Sequence, residues 1–118
     1  MKKIFALLLA LMLLAVSAAA FAESEKDLLA RIQERGKLII ATEGNWSPWT
    51  YHDENDVLTG FDIEIGALIA KGLGVEPEYM ETAWDAILAG VDSGRFDIAC
   101  NGVDSPEERA QKYDFSDP

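Results

Sequence analysis

Apolar and polar positions follow three successive regimes along this chain. The first is an unbroken apolar run, Ile4–Val16, of 13 residues. The second begins after Ala22 and is helical in period. Glu23–Gly36 sets Leu28, Leu29 and Ile32 on one stripe, and Gly36 stands where a C-cap belongs. The third alternates short apolar runs with helical stretches. Lys37–Thr42 (KLIIAT) is apolar and β-branched, the pattern of a buried strand. Residues 43–49 then read as a loop leaving the carboxyl end of that strand. Thr50-Tyr51 and Val57-Leu58-Thr59 flank the polar tip His52–Asp56, as in a hairpin or wide loop. Asp62–Gly72 is predicted helical, with Ile65, Leu68 and Ile69 on one face and glycines at its end. Val75–Met80 is a second strand, placed near an edge or a strand start by Pro77. Ala83–Asp92 is a second helix of this segment, with Trp84, Ile87, Leu88 and Val91 on one side. Phe96–Cys100 is a third strand. Ser105-Pro106-Glu107-Glu108 opens a last helix, with Ser105 as cap, Pro106 at the first helical position and Glu108 completing a capping box. Strand–helix–strand–helix–strand order implies an α/β fold with a right-handed parallel β-α-β-α-β core.

The apolar opening changes how the rest is counted. Lys2 and Lys3 precede it, and Ala20-Phe21-Ala22 ends it in a small-x-small pattern. Residues 1–22 therefore read as a secretory signal peptide cut near Ala22, with a membrane anchor as the alternative that the 19-residue length also allows. The 96 residues that remain suit one small domain. The net charge is −11, and −13 without the two lysines. Such acidity argues against nucleic acid and anionic membrane as partners. The single cysteine, Cys100, excludes an internal disulfide.

Candidate chemistry concentrates at the ends of the predicted strands, where open α/β sheets bind ligands. Gly102 lets the backbone approach a ligand, and Arg109 lies in the first turn of the last helix. Together with the helix N-terminus they form a candidate anion site, with the guanidinium able to grip a carboxylate through two parallel bonds. Pairing of Arg109 with Glu107 or Glu108 is the competing role. Trp46 and Trp84 are candidate pocket walls, and Trp49 is assigned to the core. Glu43 either takes a ligand ammonium or is solvated. Asp104 repels a bound carboxylate unless it caps the helix or meets an ammonium. His52 has no companion ligand for a metal. Asp53-x-Asn55 lacks the glycine and terminal glutamate of a calcium loop, and no nucleophile–base set is visible. Neither a metal nor a cofactor is called for.

Several motifs in fixed order carry a family resemblance. They are Gly60-Phe61-Asp62-Ile63-Glu64, Ala70-Lys71-Gly72-Leu73-Gly74-Val75, Trp84-Asp85, Phe96-Asp97, Glu108-Arg109-Ala110 and Tyr113-Asp114-Phe115-Ser116-Asp117-Pro118. Residues 37–118 thereby resemble the extracellular solute-binding proteins of polar amino-acid ABC importers, family 3, with the type II periplasmic binding fold. The resemblance implies that Arg109 binds a ligand α-carboxylate and Gly102 offers it backbone groups. It implies that Trp46 stacks on the ligand side chain, and that Trp84 and Glu43 line the pocket. Asp104 stands where Ser or Thr is common, keeping an N–H but not the hydroxyl. Members of the family have two lobes, so the chain reads as an incomplete first lobe without the second. The implied role is that of a monomeric periplasmic binding protein, not an enzyme, which delivers an amino acid to a membrane permease. A cyclohexadienyl dehydratase or a receptor sensor domain on the same fold is the alternative.

Overall fold

A computed structural model describes Met12 and residues 27–117. The predicted leader and the start of the predicted first helix otherwise lie outside the described residues. The chain divides into two compact units, Met1–Arg35 and Gly36–Pro118. The first contains α1 (Leu28–Arg35). Asp27 caps it, its carboxylate accepting the Ala30 N–H at 2.7 Å. Of the predicted stripe only Ile32 is buried, while Leu28 and Leu29 are exposed. Among the described residues no helix is long and apolar enough to cross a membrane.

The second unit is built on β1 (Lys37–Thr42), β5 (Glu76–Glu81) and β6 (Ile98–Ala99), which form a parallel sheet in the order β5-β1-β6. Lys37 pairs with Glu76 and runs in register to Thr42 with Glu81, while Ile40 and Ala41 pair with Ile98 and Ala99. Pro77 therefore sits on an edge strand, as its missing N–H requires. A second, antiparallel sheet joins β2 (Asn45–Trp46), β3 (Thr50–His52) and β4 (Leu58–Thr59). Helices α2 (Phe61–Leu73) and α3 (Trp84–Asp92) make the crossovers, and a single turn, α4 (Glu107–Ala110), follows β6.

Central β1 explains the layering. Side chains alternate across a strand, and both sides of β1 are apolar. Ala41 joins Ile87 of α3 and Phe96 in a buried cluster, with Ile39, Met80, Val91 and Ala99 packed against it. Ile40 points the other way, toward α2, where a Cβ added to Gly66 would come within 2.9 Å of its Cδ1. A strand covered on both faces needs a continuous apolar run, which KLIIAT supplies.

Three elements depart from the sequence reading. β6 is shorter than Phe96–Cys100 because its first two residues do other work. Phe96 turns into the core at 2% exposure, and the Asp97 carboxylate takes the Ile39 N–H at 2.7 Å. Helix α2 buries Gly66 and Ala70 rather than Ile65, Leu68 and Ile69, which are exposed. Only small residues fit that face, because Tyr79 and Ile40 already fill the space under Gly66. Residues 43–49 are not all loop, since Asn45 and Trp46 pair with Tyr51 and Thr50.

The Gly90–Phe96 contact gives a test of sign. A Cβ on Gly90 would overlap the Phe96 ring. Gly→Ala inside an exposed helix normally gains about 1 kcal/mol. Here Gly90→Ala should instead cost about 1–3 kcal/mol through overpacking, and Phe96→Ala about 3–5 kcal/mol. Urea denaturation of the variants decides it, and a stabilised Gly90→Ala would show that the ring does not fill that space.

Candidate functional site

The sheet order locates the site before any side chain is considered. From β1 the chain crosses to β5 on one side, then returns to β6 on the other. Connections therefore diverge at the carboxyl ends of β1 and β6, leaving a crevice between them. Glu43 and Gly44 follow β1 into it; Cys100 to Asp104 follow β6.

Asn101 closes the floor of this crevice and is 1% exposed. Its Oδ1 accepts the Glu43 N–H at 2.7 Å and lies 3.2 Å from the Thr42 hydroxyl. Its Nδ2 donates to Glu43 Oε2 at 2.9 Å. The Thr42 and Thr50 hydroxyls are 2.6 Å apart, and Gly44 N–H donates to Thr50 Oγ1 at 3.1 Å. Thr42 has one proton, and the Asn101 carbonyl oxygen can only accept. Thr42 thus donates to Asn101 and Thr50 to Thr42, which joins β1, β3 and the β6 loop in one directed chain. Sequence reasoning passed over Asn101. Its signal was a polar amide directly after an apolar strand and directly before a glycine.

Glu43 is accordingly held by Asn101 rather than loosely solvated. Gly102 has φ +55°, and a Cβ there would lie 2.6 Å from Trp46 Cζ3. Both facts require glycine: the left-handed backbone and the indole lying against it. The Gly102 N–H donates to Asp62 Oδ2. Trp46 continues into a row of rings, 6.2 Å from Trp49, which meets Phe61 edge-on at 5.6 Å. Trp49 is not core, as the sequence suggested, but 38% exposed within this row. The carbonyls of Pro48 and Trp49 accept the N–H groups of Phe61 (3.0 Å) and Asp62 (2.9 Å). They satisfy the first turn of α2, so its N-terminus does not offer those donors to an anion.

Arg109, Asp104 and Trp84 form a second group. Arg109 Nη1 donates to the Asp104 carbonyl oxygen at 3.0 Å and to its Oδ1, and the guanidinium lies 5.8 Å from the Trp84 ring centroid. The partner is thus Asp104, neither Glu107 nor Glu108. Arg109 is three-quarters covered at 26% side-chain exposure, whereas Asp104 is 77% exposed. The expected Ser105 cap does not form. Pro106 occupies the N-cap position, with no side-chain cap bond, and helix residues start at Glu107. Proline cannot supply a capping side chain, and its carbonyl instead takes the N–H groups of Arg109 and Ala110, both at 2.9 Å. With one turn of helix, the macrodipole adds little, and the anion-binding capacity rests on Arg109 and backbone N–H groups. A shallow depression of about 290 Å³ beside α4 is lined by Pro106, Glu108, Arg109, Lys112 and Tyr113. Neither Trp46 nor Trp84 lines it.

Outside both groups, His52 bridges Gly44 O (Nδ1, 3.1 Å) and Glu81 Oε1 (Nε2, 3.4 Å). Among the described residues no cluster of His, Cys, Asp and Glu is arranged to hold a metal. Burial pushes the Asp62 carboxyl above the usual aspartate range, opposed by the Gly102 N–H. Burial, then the nearby Asp62 charge, pushes the Cys100 thiol up to about 11.

The parallel sheet, its flanking helices and the crevice at its switch point make an α/β lobe. Residues 38–118 match the bacterial extracellular solute-binding proteins, family 3, and the chain belongs to that family. Its lobe has the type II periplasmic binding fold, seen as a partial domain. It is 47% identical over 92 residues to the L-cystine-binding protein TcyA of Bacillus subtilis, which covers 77% of this chain and 34% of TcyA. The chain thus spans about a third of that relative. The ancestral amino-acid-binding protein AncCDT-1, a precursor of cyclohexadienyl dehydratase, superposes with a TM-score of 0.75 at 40% identity, covering 78% of this chain and 40% of that one. The Phe57Trp mutant of arginine-bound domain 1 from TmArgBP superposes with a TM-score of 0.74 at 31% identity, covering 76% and 70%.

Two measurements probe the site. Asn101→Ala strands the Glu43 N–H and the Thr42 hydroxyl, and should cost about 1–3 kcal/mol for each buried group left unsatisfied, read by urea denaturation; a cost near zero would show the network to be dispensable. Cys100 should react slowly with a thiol reagent at pH 8 in the native chain and fast in denaturant, because the thiolate is the nucleophile. Equal rates in the two states would contradict the raised thiol.

Proposed function

We propose that this chain is the first-lobe portion of the substrate-binding component of an amino-acid ABC importer. It acts outside the cytoplasm, after loss of its leader near Ala22, and hands its ligand to a membrane permease. The ligand α-carboxylate is held by the Arg109 guanidinium and the backbone around Gly102. Trp46 and Trp84 form the walls for the ligand side chain, and Glu43 adds a polar group fixed by Asn101. The observation that carries this reading is Arg109, largely covered, with its guanidinium 5.8 Å from the Trp84 ring centroid. A guanidinium there can bind a planar carboxylate with two parallel bonds while the indoles supply apolar area.

The relatives support an amino acid as ligand: TcyA is named for L-cystine, and the TmArgBP domain is bound to arginine. That second case also supports binding by a first lobe alone. The role is capture and release rather than chemistry. A lobe that presents one wall of a site binds more weakly than a closed pair, because the ligand keeps one face in water.

The test is a thermal-shift screen of the full chain against the twenty common amino acids and L-cystine. A ligand at 100 times its Kd stabilises the native state by about 2.7 kcal/mol, which moves the midpoint of a domain this size by roughly 10–20 °C at about 4–8 °C per kcal/mol. We expect a shift for one class of amino acid, abolished in Arg109→Ala and largely lost in Arg109→Lys, which keeps the charge but not the fork. A cooperatively melting chain that responds to no amino acid would refute the binding role. Turnover of a cyclohexadienyl acid by the chain would replace it with an enzymatic one.

A further inference from the structure

The two groups assigned to the ligand carboxylate both already hold a carboxylate of this chain. Gly102 N–H donates to Asp62 Oδ2, and Arg109 Nη1 donates to Asp104 Oδ1. We infer that Asp104 and Asp62 are built-in occupants of the carboxylate-binding groups, which an incoming ligand carboxylate must displace. Asp104 is then a residue that sets the affinity of the site. This rests on the role proposed above for Arg109 and Gly102.

The chemistry is that of like replacing like. An N–H donor and a guanidinium select carboxylate oxygens, and an internal carboxylate satisfies them as well as an external one. The internal group has no translational freedom to lose, so it competes effectively, and the apparent affinity falls by the fraction of chains whose donors are free. The two occupants differ in how firmly they are held. Asp104 comes from the loop just before α4, is 77% exposed and also offers its carbonyl oxygen to Arg109. Exposed ion pairs are weak, so this one can open without disturbing the fold. Asp62 is anchored in the first turn of α2, its own N–H held by the Trp49 carbonyl at 2.9 Å. It ties the β6 loop to α2 and yields less readily. Ligand entry therefore begins at Arg109 and finishes at Gly102. A ligand carboxylate arriving at Arg109 also meets the released Asp104 carboxylate, which repels a second anion and favours a ligand carrying an ammonium or guanidinium nearby.

The opposite role is that Asp104 and Asp62 hold the donors in position, in which case removing them weakens binding. Calorimetric titration of the full chain with L-arginine and with L-cystine separates the two. We expect Asp104→Ser to bind the responding amino acid about 2- to 5-fold more tightly than the unaltered chain, the range an exposed ion pair leaves to be released. Asp104→Glu, which restores a carboxylate, should return to the weaker affinity. Asp62→Asn, with a neutral oxygen still able to accept from Gly102, should also gain affinity. Ligand-free thermal midpoints of the variants confirm that each is folded, and Asp104→Ser alone suffices if Asp62→Asn is not. Binding by the variants but not by the unaltered chain would also support the inference. Equal or weaker binding in Asp104→Ser, with the unaltered chain binding normally, overturns the internal occupants and leaves the proposed function standing. No binding by any of these proteins removes the proposed function, and the occupants with it.

Discussion

Burial of β1 on both faces constrains everything else in this unit. Its apolar run Leu38–Ala41 turns side chains to both faces and must be covered twice, so the first crossover helix lies on one face and the second on the other. Right-handed crossovers then force β5 and β6 to opposite sides of β1. The divergence of the chain at the carboxyl ends of β1 and β6 follows from that arrangement. The crevice that receives Glu43, Asn101 and Gly102 is thus a consequence of how the central strand is packed. It needs no separate device to create it.

Once the crevice exists, a small set of hydrogen bonds fixes what faces it. Asn101 ties the end of β1 to the loop after β6, and Thr42 and Thr50 extend the link into the second sheet. That sheet in turn presents Trp46 and Trp49 and caps α2 with the carbonyls of Pro48 and Trp49. The aromatic row is held at its base and left open at its outer side. Trp84 stands apart from that row and carries the Arg109 guanidinium 5.8 Å from its ring centroid.

Carboxylates are the second theme of the site. In so acidic a chain, net charge −11, neighbouring carboxylates repel one another unless donors hold them. Here each is engaged by a donor: Glu43 by Asn101, Asp62 by Gly102 and Asp104 by Arg109. The same contacts that hold these groups also occupy the donors.

The sequence by itself determined the regular elements and their order. The periods of 2 and 3.6 are local properties, and β1, β5, α2 and α3 appeared within about two residues of their predicted bounds. The motif Glu108-Arg109-Ala110 and its companions likewise pointed to the family and to Arg109. Tertiary structure decided which side of each element turned inward and which partners the polar groups took. Gly66 and Ala70 displaced Ile65, Leu68 and Ile69 from the inner face of α2, because Ile40 and Tyr79 left room only for small residues. Pairing with β3 made Asn45 and Trp46 a strand, and the Asp97 carboxylate shortened β6. Asn101 became the centre of the crevice, and Asp104 rather than a glutamate took Arg109. These outcomes depend on groups 4 to 59 positions apart in the chain, from Trp46 with Thr50 to Thr42 with Asn101. Distances of that kind are set by packing, and no local period encodes them.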